Sequence, residues 1–538
     1  MKFAQLRWGA HTNFKVSFLL FFIPLLLMSP SFYFGHILGH SSALNANWAS
    51  GFAEQLQLGE YYPRWLPAMT GGGGSPVFYF YGPLPFYISA PFIILFGNAP
   101  LALAIASTIL LIMSGFASYL LNRQYASPNA ALIGSIIYMM MPYHFAYDIW
   151  ARSAFGEQAA FVFMPLAAAS ILRLERDNRA IIYLALSFAG LVFSHAPSTI
   201  LFAPVLIFLG LWSSIHQKNY LIILKSLLSA ALAFGIVAVY LLPAVSLLNM
   251  VQQTQWATFE IDHALAFTLE ASANVYFYPI WVATAFLGLI IYLTFRSAQA
   301  LPNALPWILI SFVVIIANTS LFAPIWRNAG FFKTVQFPWR ALSIMDMATG
   351  VIIANLWHWE KRDHKIISHL VFFVLAFPLL IVAINQINYN DKKSSTFASE
   401  NTVEQSLLDL KADGTEYLPA CLQLPAINHR RLVTDEFAKK NIAATKIGQR
   451  PPAFYFPFLE VRQAGKILET SCDPKTGYLI WKGGYDTQPV DITRIKLPIE
   501  NYGQMISSIG LILALLLFAY FQMQVRSLII LKIEKSKV

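Results

Sequence analysis

The chain is organised around residues 40–90, whose centre reads Gly59-Glu60-Tyr61-Tyr62-Pro63-Arg64-Trp65-Leu66-Pro67, then Met69-Thr70-Gly71-Gly72-Gly73-Gly74-Ser75-Pro76, then Phe78-Tyr79-Phe80-Tyr81-Gly82-Pro83-Leu84-Pro85-Phe86-Tyr87. The stretch follows one apolar segment, yet it is too rich in Gly, Pro and Tyr to be an ordinary helix. Charges, four successive glycines and many aromatic rings are typical of a loop folded onto a membrane surface, where rings anchor and the backbone bends sharply. We therefore expect this loop to form one wall of the functional site.

The composition indicates that most of the chain lies in a membrane. Of the 538 residues, 57% are hydrophobic and 12% are charged, which is more apolar than a soluble core could hide. Apolar runs of about 17 to 25 residues recur, so the sequence predicts a polytopic α-helical membrane protein. Twelve helices are expected near 18–34, 100–121, 130–147, 158–172, 180–195, 199–214, 223–248, 276–295, 304–320, 339–357, 366–386 and 503–524. No A-x-A cleavage site follows the first run, so it is interpreted as a retained helix.

The distribution of Lys and Arg predicts the orientation. With both termini cytoplasmic, the cytoplasmic connections hold seventeen Lys and Arg, whereas the short external connections hold five. This bias accounts for most of the net charge of +10. The count requires that the apolar piece Leu84 to Phe96 does not cross, so a juxtamembrane or re-entrant helix is expected there.

Three parts follow from this topology. Residues 1–387 are expected to form a multi-span membrane domain with a large first external loop at 35–99, and 502–538 the last transmembrane helix with a basic tail. The external segment 388–501 carries fifteen Lys and Arg against fourteen Asp and Glu, and without a basic stripe we expect no nucleic-acid partner. Alternating patterns in 454–461, 477–482 and 490–497 predict short strands of a small α+β or β-sandwich domain.

Both cysteines of the chain, Cys421 and Cys472, lie in that external segment. Disulfides persist outside the cytoplasm, so we predict a bridge that closes a loop of about fifty residues and stabilises it by about 2 to 4 kcal/mol. The alternative is a pair of buried free thiols.

Acidic and basic residues on the external face are the candidates for chemistry. A transferase that moves a sugar from a lipid phosphate needs a carboxylate as general base and cations for the departing phosphate. The acidic candidates are Glu54, Glu60, Asp148, Glu157, Glu260, Asp262 and Glu270. The cationic candidates, suited to phosphate contacts where they are arginine, are Arg64, Arg152, Arg327, Lys333 and Arg340. Any one of them is otherwise a membrane anchor or half of an ion pair.

Several of these residues have a structural interpretation of equal or greater weight. Arg152 and Glu157, five apart, pair with each other as readily as with a ligand. His195 is a candidate for substrate binding, proton transfer or metal ligation, but a helix cap beside Pro197 is the simpler role. Asp346 lies about two turns inside an apolar helix, where it is either functional or bonded to a neighbouring helix.

The remaining motifs are weak. No His or Cys spacing typical of zinc occurs, and no metal ligand set is predicted, although carboxylates leave a divalent cation open. The glycine tract Gly71 to Gly74 is interpreted as a hinge, or as a mobile loop over a substrate groove. The aromatics at 79–87 form an interfacial belt or stack on a sugar.

The order of several motifs resembles a known family. They are Gly59 to Trp65, the glycine tract, Phe80 to Tyr87, Arg152 to Glu157, Ser194-His195, Gln336 to Arg340 and Glu416 to Pro419. These motifs look like the bacterial and archaeal membrane proteins labelled "6-pyruvoyl-tetrahydropterin synthase related". Nothing in the sequence suggests pterin chemistry.

The layout is also similar to that of the GT-C glycosyltransferases. The resemblance implies a polyprenyl-phosphate-linked sugar as donor, a periplasmic glycan or lipid as acceptor, and the bacterial inner membrane as location. It also implies a catalytic acid about fifteen residues before Gly59. This chain has Ser41, Ser42, Asn45 and Asn47 there, so Glu54, Glu60, Asp148 or Glu157 would have to serve instead.

Two hypotheses follow. The first is a GT-C-like glycosyltransferase, and the second is a non-catalytic membrane protein that binds or helps to translocate a lipid-linked glycan. Secondary transport is weaker, because paired broken helices and an inverted repeat are absent from the sequence pattern.

Overall fold

A computed structural model describes residues 14–34, 39–252, 264–268, 271, 277–328, 335–359, 417–423, 453–483 and 490–535, with the backbone alone at 33–34 and 526–535. The described chain is mostly helical. Its α-helices are α1 (Phe14–Phe34), α2 (Ser42–Gln57), α3 (Val77–Phe80), α4 (Leu84–Phe96), α5 (Ala99–Asn122), α6 (Pro128–Met140), α7 (Phe155–Ile171), α8 (Ala180–Ser194), α9 (Ala196–Gln217), α10 (Leu221–Leu247), α11 (Phe277–Phe295), α12 (Leu301–Ala317), α13 (Ala323–Asn328), α14 (Leu342–Trp359) and α15 (Pro498–Lys535).

Among the described residues, six helices are long and apolar enough to cross a membrane, namely α1, α5, α9, α10, α11 and α15. A seventh span is counted if α12 and the segment Ser320–Asn328, which bend by 78°, act together. The multi-span helical architecture is therefore confirmed, whereas the count of twelve stays a prediction. The helix predicted at 366–386 lies outside the described residues.

Two apolar helices are short in the structure, one predicted as a span and one predicted not to cross. The predicted helix 130–147 ends at Met140, because Met141 precedes Pro142 and takes an extended backbone conformation. Helix α4 has thirteen residues, so it measures about 20 Å, against about 30 Å for the hydrocarbon core of a bilayer. It is too short to cross as a straight helix.

Helices α6 and α14 cross at very small residues. A Cβ on Gly134 would lie 2.4 Å from the carbonyl oxygen of Gly350, and one on Gly350 would lie 2.7 Å from the carbonyl oxygen of Gly134. Beside this contact, the Asn122 amide of α5 donates to the hydroxyl of Ser135 over 3.1 Å. Close backbone approach and buried polar bonds are typical of helix packing in membranes.

The first loop folds back on itself around Trp65. A β-bridge joins Leu66 to Ser75, and Gly74, with a φ of 84°, lies where a Cβ would be 1.9 Å from the Trp65 ring. The carbonyl oxygen of Gly73 accepts a bond from the backbone N–H of Phe454 over 2.8 Å. The glycine tract is thus packed between Trp65 and the C-terminal part of the chain, in contrast to the hinge expected from the sequence.

The C-terminal segment contains a four-stranded antiparallel sheet of order β3-β2-β1-β4. The strands are β1 (Leu459–Gln463), β2 (Lys466–Cys472), β3 (Leu479–Lys482) and β4 (Asp491–Arg494). Strand β2 was absent from the sequence expectation. Ala464 and Gly465, both at positive φ, form the tight turn that joins it to β1. The described residues form one sheet here and not a sandwich.

Covalent, aromatic and ionic contacts tie the sheet to other described parts of the chain. A disulfide joins Cys421 to Cys472 at the end of β2, with 6.5 Å between the Cα atoms. The Trp65 ring packs edge-on against Phe456 and Phe458, with centroids 5.6 and 5.4 Å away. The ionic contacts come from a group of charges in which Arg64 and Glu500 are buried.

That group joins the first loop to β4 and α15. The carboxylate of Glu500 accepts from the Tyr79 hydroxyl over 2.7 Å and lies 3.3 Å from Nε of Arg64. Arg494 of β4 also pairs with Glu500, and it reaches Glu60 over 3.2 Å. We call these five residues the docking cluster.

Candidate functional site

The candidate site is built at the end of a π-helix, Tyr143–Arg152. A π-helix of ten residues is unusual, because most are single turns, and these are frequent at functional sites. Its first turn is fixed by α14, where the carboxylate of Asp346 accepts from the backbone N–H of His144 over 2.9 Å. Of the two roles expected for Asp346, the structure shows the bond to a neighbouring helix.

The other end of the π-helix turns sharply at Ser153, which takes a left-handed conformation with φ 52° and ψ 44°. The entrance of the first loop packs on this turn. The backbone N–H of Ser41 donates to the carbonyl oxygen of Arg152 over 3.0 Å, and the Asn45 amide donates to that of Ser153 over 2.6 Å. The segment in which a GT-C acid was expected therefore lies directly against the turn that carries Arg152.

Arg152 is the centre of a buried group of charges. Its Nη1 donates to Oδ1 of Asp148 over 3.0 Å, to Oε2 of Glu157 over 2.7 Å and to the hydroxyl of Tyr143 over 3.1 Å. The Tyr143 hydroxyl donates in turn to Oε1 of Glu157 over 2.7 Å. Nε of Arg340 lies 3.6 Å from Oε2 of Glu157. We call these five residues the charged site.

The two carboxylates of the charged site differ in the hydrogen bonds that their oxygens accept. Both oxygens of Glu157 face donors, whereas Oδ2 of Asp148 accepts no hydrogen bond from any described residue. Burial raises the pKa of Asp148 well above its ordinary value; the charge of Glu157 acts in the same direction and Arg152 opposes it. Such a carboxylate is a stronger base than an exposed aspartate.

The two guanidinium groups differ as well. Arg340 donates through Nη1 to the carbonyl oxygen of Val335 over 2.6 Å. Its Nε is buried and makes no hydrogen bond with the described part of the chain. The Nη1 of Arg152, by contrast, is shared among three acceptors. Arg340 therefore retains a donor for an anionic group.

His195 caps α9. Its Nδ1 lies 2.8 Å from the Ser198 hydroxyl and accepts from the Ser198 backbone N–H over 3.4 Å, so the cap interpretation fits the structure. Burial lowers the pKa of His195 to about 3, and the charge of Arg340 acts in the same direction. A ring whose Nδ1 accepts carries its proton on Nε2, which makes His195 a neutral donor.

The other residues expected from the sequence lie elsewhere. Glu60 and Arg64 belong to the docking cluster, Glu54 is exposed on α2, and Arg327 is exposed near the end of α13. Among the described residues, Glu54 and Arg327 contact neither group of charges. Glu260, Asp262, Glu270 and Lys333 lie outside the described residues.

Sequence reasoning missed Tyr143, and it gave no role to Gln158 or Trp150. Spacing assigns residues to a common face only if the helix type is known, and nothing in the sequence signals a π-helix. In the described part of the chain, no three His, Cys, Asp or Glu side chains are grouped as a metal ion would need.

Fold and site together define a multi-span helical membrane protein with a buried, charged site beside its first loop. A family model described as the 6-pyruvoyl-tetrahydropterin synthase related domain, a membrane protein, matches residues 78–390. The chain belongs to this family, as the motifs of the first loop had indicated.

Two solved structures of the arabinofuranosyltransferase AftD from Mycobacteria are similar to the chain. One has 14% identity and a TM-score of 0.45, and it covers 69% of this chain and 27% of that one. A mutant form has 13% identity and a TM-score of 0.44, with 68% and 27% covered. The chain thus spans about a quarter of the length of AftD. No curated protein matches the sequence.

Proposed function

We propose that this protein is a GT-C-like glycosyltransferase of the bacterial inner membrane, which transfers a sugar from a polyprenyl-phosphate donor on the periplasmic face. The observation that carries the proposal is the charged site, in which a buried carboxylate lies in one network with two arginines and one of its oxygens accepts no hydrogen bond from the described residues. Membership in a membrane-protein family supports a donor that is itself a lipid.

The arginines provide for the phosphate of the donor. A departing phosphate gains negative charge in the transition state, and fixed cations in a dry site stabilise that charge strongly. Arg340 is assigned the direct contact through Nε, and Arg152 supports it from the neighbouring turn. His195, which lies near Arg340, adds a neutral hydrogen-bond donor.

Asp148 is assigned the role of general base. It takes the proton of an acceptor hydroxyl while that oxygen bonds to the anomeric carbon of the sugar. The bond from the anomeric carbon to the phosphate oxygen breaks, and the electron pair leaves with the polyprenyl phosphate. Glu157 holds the two arginines in place during this step and keeps its charge.

The first loop lacks the acid expected there, and the charged site lies next to that position. The first loop carries Ser41 and Asn45 where a carboxylate was expected, but both contact the turn at 152–153. Asp148 lies one π-helical turn before that point. The base is thus supplied from the second external connection rather than from the first.

The proposed topology has twelve spans. Twelve spans with both termini in the cytoplasm would put the first loop, the charged site and the C-terminal sheet on the periplasmic face, where a glycan or lipid acceptor is available. The distribution of Lys and Arg supports this orientation.

The alternative is a protein that binds or helps to translocate a lipid-linked glycan without turnover. The observation that favours it is the full engagement of Arg152 Nη1 and Glu157 in protein contacts. On this hypothesis Asp148 would serve the charge balance of the site, and its ionisation would be irrelevant to product formation.

The test is a comparison of envelope glycans and lipids, by mass spectrometry, in a strain that lacks the protein and carries complementing copies. Asp148→Asn keeps the size of the side chain and removes the base, so the sugar lost in the deletion strain should not return. Asp491→Asn, at an exposed position of β4, is the matched control and should restore it. Both variants must reach the parental amount in the membrane.

The pH dependence of the purified protein adds a second measurement. Because the deprotonated Asp148 is the active form and its pKa is raised, product formation should rise with pH through an apparent pKa above about 4. If Asp148→Asn restores the parental glycans, the base assignment is wrong. If a lipid-linked precursor accumulates in the deletion strain and every variant clears it, the non-catalytic alternative gains support.

A further inference from the structure

We propose that Gln158, with the indole N–H of Trp150, recognises the hydroxyl groups of a sugar next to the charged site. The inference rests on the proposed function, since it concerns the sugar that the lipid donor carries next to its phosphate. Neither residue stood out in the sequence.

Both side chains are buried and make no hydrogen bond with the described residues. Gln158 is 2% exposed, and both its Nε2 and its Oε1 lack partners. Trp150 is 4% exposed, and its Nε1 lacks one as well. Leaving such groups unpaired costs about 1 to 3 kcal/mol each, so a folded protein seldom keeps several in one short segment without a ligand or an ordered water as partner.

The two residues flank the turn that carries Arg152. Trp150 lies on the last part of the π-helix, and Gln158 lies in the first turn of α7. Trp150 and the neighbours of Gln158 pack against adjacent residues of α5. Trp150 packs in the apolar cluster that contains Leu111, whereas Phe155 and Ala159, the neighbours of Gln158 on α7, pack in the cluster that contains Leu110.

The combination of donors and acceptors indicates the kind of ligand. A phosphate oxygen only accepts, so it would leave Oε1 of Gln158 without a partner. A metal cation binds oxygen, so it would leave the N–H groups of Gln158 and Trp150 without acceptors. An acyl chain forms no hydrogen bonds, so it would pair with neither side chain. A sugar hydroxyl donates and accepts at once, so neighbouring hydroxyls match the carboxamide and the indole together.

A structural role would leave these groups paired. Gln252 shows the contrast, because its amide donates to the carbonyl oxygens of Pro419 and Leu422 over 2.9 and 2.8 Å and joins two segments of the chain. The amide of Gln158 joins nothing among the described residues.

The experiment is a titration of the purified full-length protein in detergent micelles, followed by native mass spectrometry. One probe is undecaprenyl phosphate without a sugar. The other is the mixture of polyprenyl-phosphate-linked sugars extracted from the source cells. The wild type should bind at least one sugar-bearing lipid about tenfold more tightly than the bare phosphate, since a site with buried polar groups rejects a ligand that leaves them unpaired.

Gln158→Met removes both polar atoms at similar length and should abolish this preference, with the affinity for the bare phosphate unchanged. Gln124→Met, at a half-buried position near the end of α5, is the matched control and should keep the preference. Trp150→Phe removes the N–H and keeps an aromatic ring at the position, although the ring is smaller. It should weaken the preference severalfold, and it serves as the second probe of the site if Gln158→Met does not fold.

The outcomes separate the inference from the proposed function. If the wild type binds both probes equally, or if the Gln158 and Trp150 variants keep the preference, sugar recognition by these residues is wrong and phosphate binding stands. If the wild type binds neither probe, the polyprenyl-phosphate proposal fails, and the inference fails with it.

Discussion

Glu157 is the residue on which both arginines of the charged site converge. It is fully buried, and one of its oxygens lies 2.7 Å from Arg152 and 3.6 Å from Arg340. A buried charge that loses its partner is far more costly than an exposed one, because water cannot compensate it. The site is therefore as sensitive to the removal of Glu157 as to a change in the hydrophobic core.

Glu157→Gln should accordingly destabilise the protein by about 3 to 5 kcal/mol, since it removes the one carboxylate that two buried guanidinium groups share and leaves Asp148 as the acidic partner of Arg152. The measurement is thermal unfolding in detergent, compared with the wild type. Glu54→Gln makes the same chemical change at an exposed position of α2 and should alter stability by less than about 0.5 kcal/mol. Equal effects of the two substitutions would contradict the role of Glu157 described above.

At the scale of elements, the crossing of α6 and α14 positions the site. Asp346 lies one helical turn before Gly350 on α14, and it holds the first turn of the π-helix through His144. On α6, the hydroxyl of Tyr138 donates to the carbonyl oxygen of Phe161 over 2.7 Å and ties α7 to the same unit. The close approach of two glycines thus determines where Tyr143 and Arg152 lie.

Gly134→Ala should therefore destabilise the protein by about 1 to 3 kcal/mol, because the added methyl group meets backbone and not a flexible side chain. Gly288→Ala on α11 is the control, since a Cβ there meets nothing within 4 Å. It should be neutral or stabilising by up to about 1 kcal/mol, as expected for Gly→Ala in a helix. Unfolding midpoints of the two variants test the difference, and a neutral Gly134→Ala would count against the tight crossing.

The whole molecule is held together by contacts between its first loop and its C-terminal segment. Trp65 packs against Phe456 and Phe458, and the docking cluster adds ion pairs beneath them. Segments more than 390 residues apart in sequence thus form one apolar cluster. The first loop cannot move without the sheet.

Trp65→Ala should release the sheet from the first loop, because it removes the ring that both sides share. Hydrogen exchange of the amides in β1 should become faster, while exchange in α5 to α8 stays as in the wild type. Trp481→Ala removes an indole that is 41% exposed on β3 and should leave β1 unchanged. Unaltered exchange of β1 in the Trp65 variant would show that the sheet docks by other contacts.

The orientation of the molecule can be tested through exposed positions at its two ends. Tyr61, in the first loop, is 88% exposed, and Lys218, between α9 and α10, is also exposed. With the first loop in the periplasm, Tyr61→Cys should react with a membrane-impermeant maleimide in spheroplasts, whereas Lys218→Cys should react only after the membrane is permeabilised. The native cysteines are joined to each other and do not interfere. The reverse pattern would invert the topology.

The sequence by itself determined what depends on composition and local pattern. Apolar runs predicted a multi-span helical membrane protein, because any backbone that crosses a bilayer must satisfy its own hydrogen bonds. The order of motifs indicated the family, and the length of Leu84 to Phe96 marked it as too short to cross. Asp148, Arg152 and Glu157 were singled out because charges beside apolar runs are few.

Only the tertiary structure decided which of these residues act together. Arg64 and Glu60 look equivalent to Arg152 and Glu157 in sequence, yet the fold pairs the first two with Arg494 and Glu500 of the last segment. Helix type, register and long-range packing set these partners, and they depend on contacts between residues far apart in the chain. For the same reason the π-helix, the buried amide of Gln158 and the packing of the glycine tract under Trp65 could not be predicted from local pattern.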